Sequence, residues 1–152
     1  MPAASAPTPD ERREDPGPSF WLLKSEPDAF SWEQQVTAGI EPWTGIRNHQ
    51  AAKNLRAMRV GDQALFYHSN EGKEVVGIVE VAREAYPDPT DGTGKWVCVD
   101  VRTVGPLPRP VTLAAMKSEP KLEGLLLIRQ SRLSVVPVSA EHWGVIARMA
   151  GL

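Results

Sequence analysis

Along most of the chain, apolar and polar positions alternate or recur at regular intervals, and those intervals alone predict the main elements. Phe20 to Ser25 (FWLLKS) is dense in aromatic and aliphatic residues and reads as a strand halted by Pro27, with a loop or short helix from Ser31. In Asn48 to Arg59, Ala51, Leu55 and Met58 recur at i, i+4 and i+7 while Lys53, Arg56 and Arg59 fall on an adjoining stripe. That spacing predicts an amphipathic helix with a basic flank. After a Gly61-Asp62 turn, Ala64 to Ser69 alternates Ala64, Phe66 and His68 with Leu65, Tyr67 and Ser69, the mark of a strand. Val75 to Glu84 and Lys95 to Val104 are further strands, bracketing a loop at Tyr86 to Gly94 crowded with Pro, Asp and Gly. Thr112 caps a short helix over Leu113 to Lys117, Leu133 to Val138 supplies a last strand, and Ser139 caps a closing helix with Trp143, Ile146, Ala147 and Ala150 on its buried stripe. Strands interrupted by unlike helices predict an α+β fold around a small, partly closed barrel.

Composition adds limits. The chain of 152 residues carries 17 Lys plus Arg against 19 Asp plus Glu, which suits one soluble domain. Residues 1–19 are rich in proline and acid and nearly free of large apolar side chains, so they are expected to form a disordered tail, leaving 20–152 as the folded domain. The folded part segregates its charge: residues 46–59 hold Arg47, Lys53, Arg56 and Arg59 and no acid. One face is expected to be locally positive. The single cysteine, Cys98, excludes an intrachain disulfide framework and any multi-cysteine metal site, and fits a reducing cytoplasmic setting. No apolar run approaches the roughly 20 residues that span a bilayer, and no secretory signal opens the chain.

The chemistry of catalysis is thinly represented. His49, His68, His142 and Cys98 lie scattered without ligand spacing, so no metal is expected, and no glycine-rich phosphate loop or cofactor motif is present. Cys98 sits mid-strand between Val97 and Val99 as a structural cysteine. Glu26, Asp28, Asp88 and Asp91 adjoin prolines or glycines, where solvated turns also select acids. What stands out is aromatic and hydrogen-bonding residues mixed with basic ones at Trp21 to Ser25, Trp43 to Asn48 and Phe66 to Ser69. Such a mixture suits a planar, polar ligand: a ring stacks on a base, amides and hydroxyls read its edge, and Lys or Arg holds phosphates. Trp21 and Trp143 lie on periodic stripes and read as core. Trp43, between Pro42 and Gly45, is divided by pattern alone between base binding and packing. Lys24 either snorkels from its strand or reaches a ligand at the strand end, and His68 reads by default as a core histidine.

The runs WLLKSEP (Trp21 to Pro27), WTGIRNHQAAKNLRAM (Trp43 to Met58), GDQALFYHS (Gly61 to Ser69), YPDPT (Tyr86 to Thr90) and SRLSVVPV (Ser131 to Val138) together resemble the EVE domain family. That family belongs to the PUA-like superfamily and is related in fold to YTH domains. The resemblance implies a small mixed β-barrel with flanking helices and a non-catalytic pocket for a modified, methylated or hydroxymethylated, base in DNA or RNA. Carried across by motif, Lys24, Ser25, Trp43, Thr44, Gly45, Ile46 and Asn48 would line the pocket, with His68 and Ser69 at its rim. Trp32, Trp96 and Leu133 are candidates for its remaining walls, and Arg47, Lys53, Arg56 and Arg132 are expected to engage phosphates. Two alternatives belong to other classes: an ASCH-like enzyme acting on RNA or a modified nucleoside through Lys24, His68 and nearby acids, and a protein-interaction module in which Trp43 only packs its loop.

Overall fold

A computed structural model describes residues 19–152 of the chain. The expected tail therefore lies outside the described residues except for Ser19. That residue belongs with the fold: its amide donates to Asp62 Oδ1 at 2.9 Å and its carbonyl accepts from the Gln63 amide.

The elements run β1 (Phe20–Ser25), α1 (Trp32–Ala38), β2 (Ile40–Pro42), α2 (His49–Ala57), β3 (Gln63–His68), β4 (Glu74–Pro87), β5 (Val97–Thr112), α3 (Leu113–Lys117), a 3-10 turn at Pro120–Leu122, α4 (Leu126–Arg129), β6 (Val135–Val138) and α5 (Ala140–Ala150). Six strands form one sheet in the order β2-β5-β4-β3-β1-β6, antiparallel throughout except for the parallel β1–β3 pair. A parallel pair cannot be joined by a hairpin. Here the connection travels through α1 to the far edge at β2, then returns through α2 to β3.

The α+β class is as expected, but the barrel is not: the sheet stays open, with β2 and β6 as its edges. Both edge strands are short, three and four residues, and each contains a proline, Pro42 and Pro137, that has no N–H to donate. Strand periodicity says which residues form strands; it carries no information on whether the outer two meet. No described helix is long and apolar enough to cross a membrane.

The predicted helix at Asn48 is α2, with Asn48 as its N-cap accepting from the Ala51 amide at 2.9 Å. Its apolar stripe, Ala51, Leu55 and Met58, is buried to 2% exposure or less, and the helix packs across β4, β5 and β6. Fully burying a leucine-sized side chain contributes about 1.5–3 kcal/mol. In β3, Ala64, Leu65, Phe66 and Tyr67 are all buried, so both faces of the sheet are covered there. Phe66 forms the hub of an aromatic cluster, with Trp32, Trp43, Phe30 and His68 at centroid distances of 5.3, 5.6, 6.3 and 5.7 Å. The cluster explains a glycine. Gly77 pairs with Phe66 across β3–β4, and a Cβ there would lie 2.4 Å from the Trp32 ring, so this strand position has no room for any side chain.

Candidate nucleic-acid interface

The C-terminal end of β1, the start of α2 and the segment 129–134 meet at one side of the sheet. β1 ends with Lys24 and Ser25 because Pro27 cannot continue a ladder, and parallel pairing places Tyr67 and His68 beside them. Lys24 Nζ donates to the Ser131 carbonyl at 2.7 Å and the Lys24 amide donates to Ser134 O at 3.0 Å, tying the 129–134 segment to the strand. Burial lowers the Lys24 pKa from its ordinary value. The Ser25 hydroxyl donates to Phe30 O at 2.6 Å, and the Ser69 amide donates to Ser25 O at 2.9 Å.

Two recesses flank this junction. One, about 420 Å3, is lined by Lys24, Tyr67, Ser69, Asn70, Lys73 and Ser134, among others; the second, about 360 Å3, is lined by Asn48, Gln50 and residues 129–133. Ser131 contributes to both. The structure thus brings Lys24 and Ser69 to one recess and Asn48, Arg132 and Leu133 to its neighbour. Tyr67, Asn70, Lys73, Gln50 and Arg129 join them without having been singled out from sequence. Their placement depends on the parallel β1–β3 pairing and on where 129–134 lands, neither of which leaves a local pattern.

Trp43 sits deeper than a surface platform. It is 7% exposed, and its ring meets Phe66 and Phe30 edge-on at 86° and 83°. Phe66 is fully buried, whereas Phe30 is half-buried and forms the outer side of the cluster. His68 lies at the same cluster, its Nε2 accepting from the Trp32 amide at 3.1 Å. Burial lowers its pKa, against the opposing pull of Glu74 and Glu33. Lys24 and His68, the pair on which the enzyme alternative rests, therefore each direct a titratable nitrogen to a backbone partner.

The Thr44–Asn48 loop is fixed from behind by Asp88. This residue is 2% exposed, so it is not the solvated turn acid the sequence suggested. Its carboxylate accepts from the Gly45 amide (2.9 Å), Arg47 Nη1 (3.1 Å), and the amide and hydroxyl of Thr90 (2.7 and 2.6 Å). Burial alone would raise its pKa; the bonds from Thr90, Gly45 and Arg47 outweigh burial and bring it down to about 2. Gly45 has φ +86°, a conformation that favours glycine, and it aims its N–H at Asp88. Ile46 is buried and Thr44 half-buried. Arg47, expected at phosphates, instead spends its guanidinium on Asp88 and on the Thr90 hydroxyl at 3.1 Å. Lys53, Arg56 and Arg132 remain exposed, and of these Arg132 lies at the recess. Of the candidate extra walls, Leu133 lines the smaller recess, Trp32 packs over Gly77, and Trp96 stands on the far side of the α2 start against His49.

The profile of the EVE domain matches residues 19–149. The chain belongs to the EVE domain family. This EVE domain shares 58% identity with Rpa0253 from Rhodopseudomonas palustris, whose NMR structure it matches with a TM-score of 0.84 over 88% of this chain and 93% of that one. It is 32% identical to human thymocyte nuclear protein 1, over 84% of this chain and 72% of that protein. The human protein crystallised in complex with DNA containing 5-methylcytosine has TM-score 0.81 and 31% identity, covering 88% of this EVE domain and 98% of that chain. The YTH domain of the Zygosaccharomyces rouxii MRB1 protein, in complex with N6-methyladenosine RNA, shares the fold of this EVE domain at TM-score 0.56 and 16% identity, over 90% and 88% of the two chains.

Proposed function

We propose that this EVE domain is a non-catalytic nucleic-acid reader that holds one modified base, with 5-methylcytosine in DNA the first candidate, at the junction of β1, the α2 start and residues 129–134. The observation that carries the reading is the human homologue's complex with DNA containing 5-methylcytosine, on a fold superposing at TM-score 0.81. The site chemistry supports it. Asn48 uses Oδ1 to cap α2, which leaves its amide group as a donor toward a base edge in the smaller recess, and the Ser69 hydroxyl lines the larger one. On this reading Trp43 is the aromatic wall, with the half-buried Phe30 ring edge-on to it and Ile46 and His68 as further wall residues. Arg132, exposed at the smaller recess, meets a phosphate, and Arg47 positions the loop through Asp88.

Magnitudes limit what the mark alone achieves. Burying one methyl group contributes about 0.8 kcal/mol, roughly a fourfold preference, so stronger discrimination requires shape or a hydrogen bond unique to the marked base. Drawing the base out of a duplex costs a few kcal/mol. Unpaired sites are accordingly expected to bind more tightly than matched duplexes.

Equilibrium binding to single- and double-stranded DNA and RNA carrying cytosine, 5-methylcytosine, 5-hydroxymethylcytosine or N6-methyladenine tests the reading. Marked DNA is expected to bind at least fourfold more tightly than unmarked. Trp43→Phe, which keeps an aromatic ring in the cluster, is expected to narrow that ratio. Equal binding to every probe, or a ratio untouched by the substitution, overturns the proposed pocket.

A further inference from the structure

On the other side of the α2 start, a second group of side chains takes no part in the recesses. His49, Lys53 and Arg56 stand at i, i+4 and i+7, so they share one stripe of α2 about 10 Å long. The 88–96 loop lies against that stripe. The His49 ring meets the Trp96 ring at 4.9 Å with 36° between planes, Lys95 Nζ lies 5.1 Å from the Trp96 centroid, and Arg56 Nη2 donates to Lys95 O at 3.4 Å. His49, Lys53, Arg56 and Lys95 are exposed, and Trp96 is half-buried beneath them.

The loop's acids point away from this surface's cations and into the loop itself. Asp91 accepts from the amide and hydroxyl of Thr93 and from the amides of Lys95 and Trp96, between 2.7 and 3.0 Å. Asp88 is buried on Gly45, Arg47 and Thr90. What faces outward is the exposed His49 ring, tilted over the half-buried Trp96 ring and bordered by Arg56 and Lys95, with Lys53 on the same helical stripe. That combination is complementary to an unpaired nucleotide: a π face for its base and point charges for the adjoining phosphates.

We infer that this surface is a second nucleotide subsite, where a base flanking the one in the recess stacks on His49 while Lys53, Arg56 and Lys95 hold the neighbouring phosphates. The first turn of α2 serves both places, since Asn48 and Gln50 line the recess and His49, between them, faces the loop. The inference rests on the nucleic-acid reading and adds the path of the strand and a preference for unpaired DNA or RNA on one side of the marked base.

The test compares the 5-methyl-2′-deoxycytidine monophosphate mononucleotide with marked and unmarked single-stranded nonamers, against wild type, His49→Ala and the double variant Lys53→Gln/Arg56→Gln, with thermal unfolding as the fold control. Expected is an approximately tenfold loss of nonamer affinity in His49→Ala, equal for marked and unmarked strands, with mononucleotide binding unchanged. The double variant lowers the slope of log K against log salt by about 1 to 2. Folded variants that bind the nonamers within twofold of wild type overturn the subsite, and the mark preference then reports separately on the recess. Loss on the nonamers in a protein without mark preference supports the subsite and removes the recess reading. A wild type that binds no strand overturns both.

Discussion

The two carboxylate oxygens of Asp88 hold Gly45, Arg47 and Thr90 together, joining the loop before α2 to the loop after β4. Asp88→Ala is expected to destabilise the fold by about 2 kcal/mol, since it leaves partly buried donors without their acceptor; denaturant unfolding measures this. The pH dependence has a definite sign. A carboxylate whose folded pKa is depressed from 3.8 to about 2 contributes stability above pH 4 that is lost as pH falls through that interval, at most about 2 kcal/mol. His68 acts earlier on the same acid limb. Its folded pKa is lowered below the ordinary 6.5, so the neutral ring that accepts from Trp32 is favoured, and stability declines as pH falls below that value. Thermal unfolding from pH 8 to pH 2 is expected to show a first decline that sets in below the ordinary histidine value of 6.5 and that His68→Gln reduces, and a later one that Asp88→Asn reduces. At Gly77, addition of one methyl group is expected to cost about 1–3 kcal/mol, because Trp32 must leave its place over the strand; a Gly77→Ala variant as stable as wild type would contradict that packing.

Among the elements, α2 was the most legible, since three apolar residues at helical spacing are a local signal that the tertiary fold leaves intact; its asparagine cap emerges from the structure. The cap also supplies a prediction. Asn48→Asp keeps the acceptor for the Ala51 amide and is expected to hold stability within about 0.5 kcal/mol, whereas Asn48→Ala costs about 1 kcal/mol. Both remove the amide donors, so both are expected to weaken binding of a marked base, which separates capping from recognition. Other elements were hidden for physical reasons. β2 is three residues with two exposed and holds its place through pairing with β5, an interaction some sixty residues away. β5 runs to Thr112 through Gly105, Pro106, Pro108 and Pro110, which read as breakers; register shifts against β4 accommodate them. The candidate site divides in the same manner. Lys24 and Asn48 stood out in the sequence within a mixture of residue types and each lines a recess, while the burial of Trp43 and the capture of Arg47 by Asp88 arise from contacts more than 20 residues apart in sequence.

For the molecule as a whole, a net charge of −2 with cations gathered around α2 favours modest, salt-sensitive affinity over tight non-specific binding. The open sheet matters more. β1, the first strand, lies between β3 and β6, and β6 is nearly the last segment of the chain. During synthesis, then, one side of the FWLL backbone stays without its partner until Val138 has left the ribosome, several seconds at ordinary elongation rates. A chain released before Val135 would present that bare apolar edge permanently. Fragments ending at residue 134 are expected to aggregate while the full chain remains soluble, so the domain's vulnerability lies in an unfinished C-terminus rather than in the recess it carries.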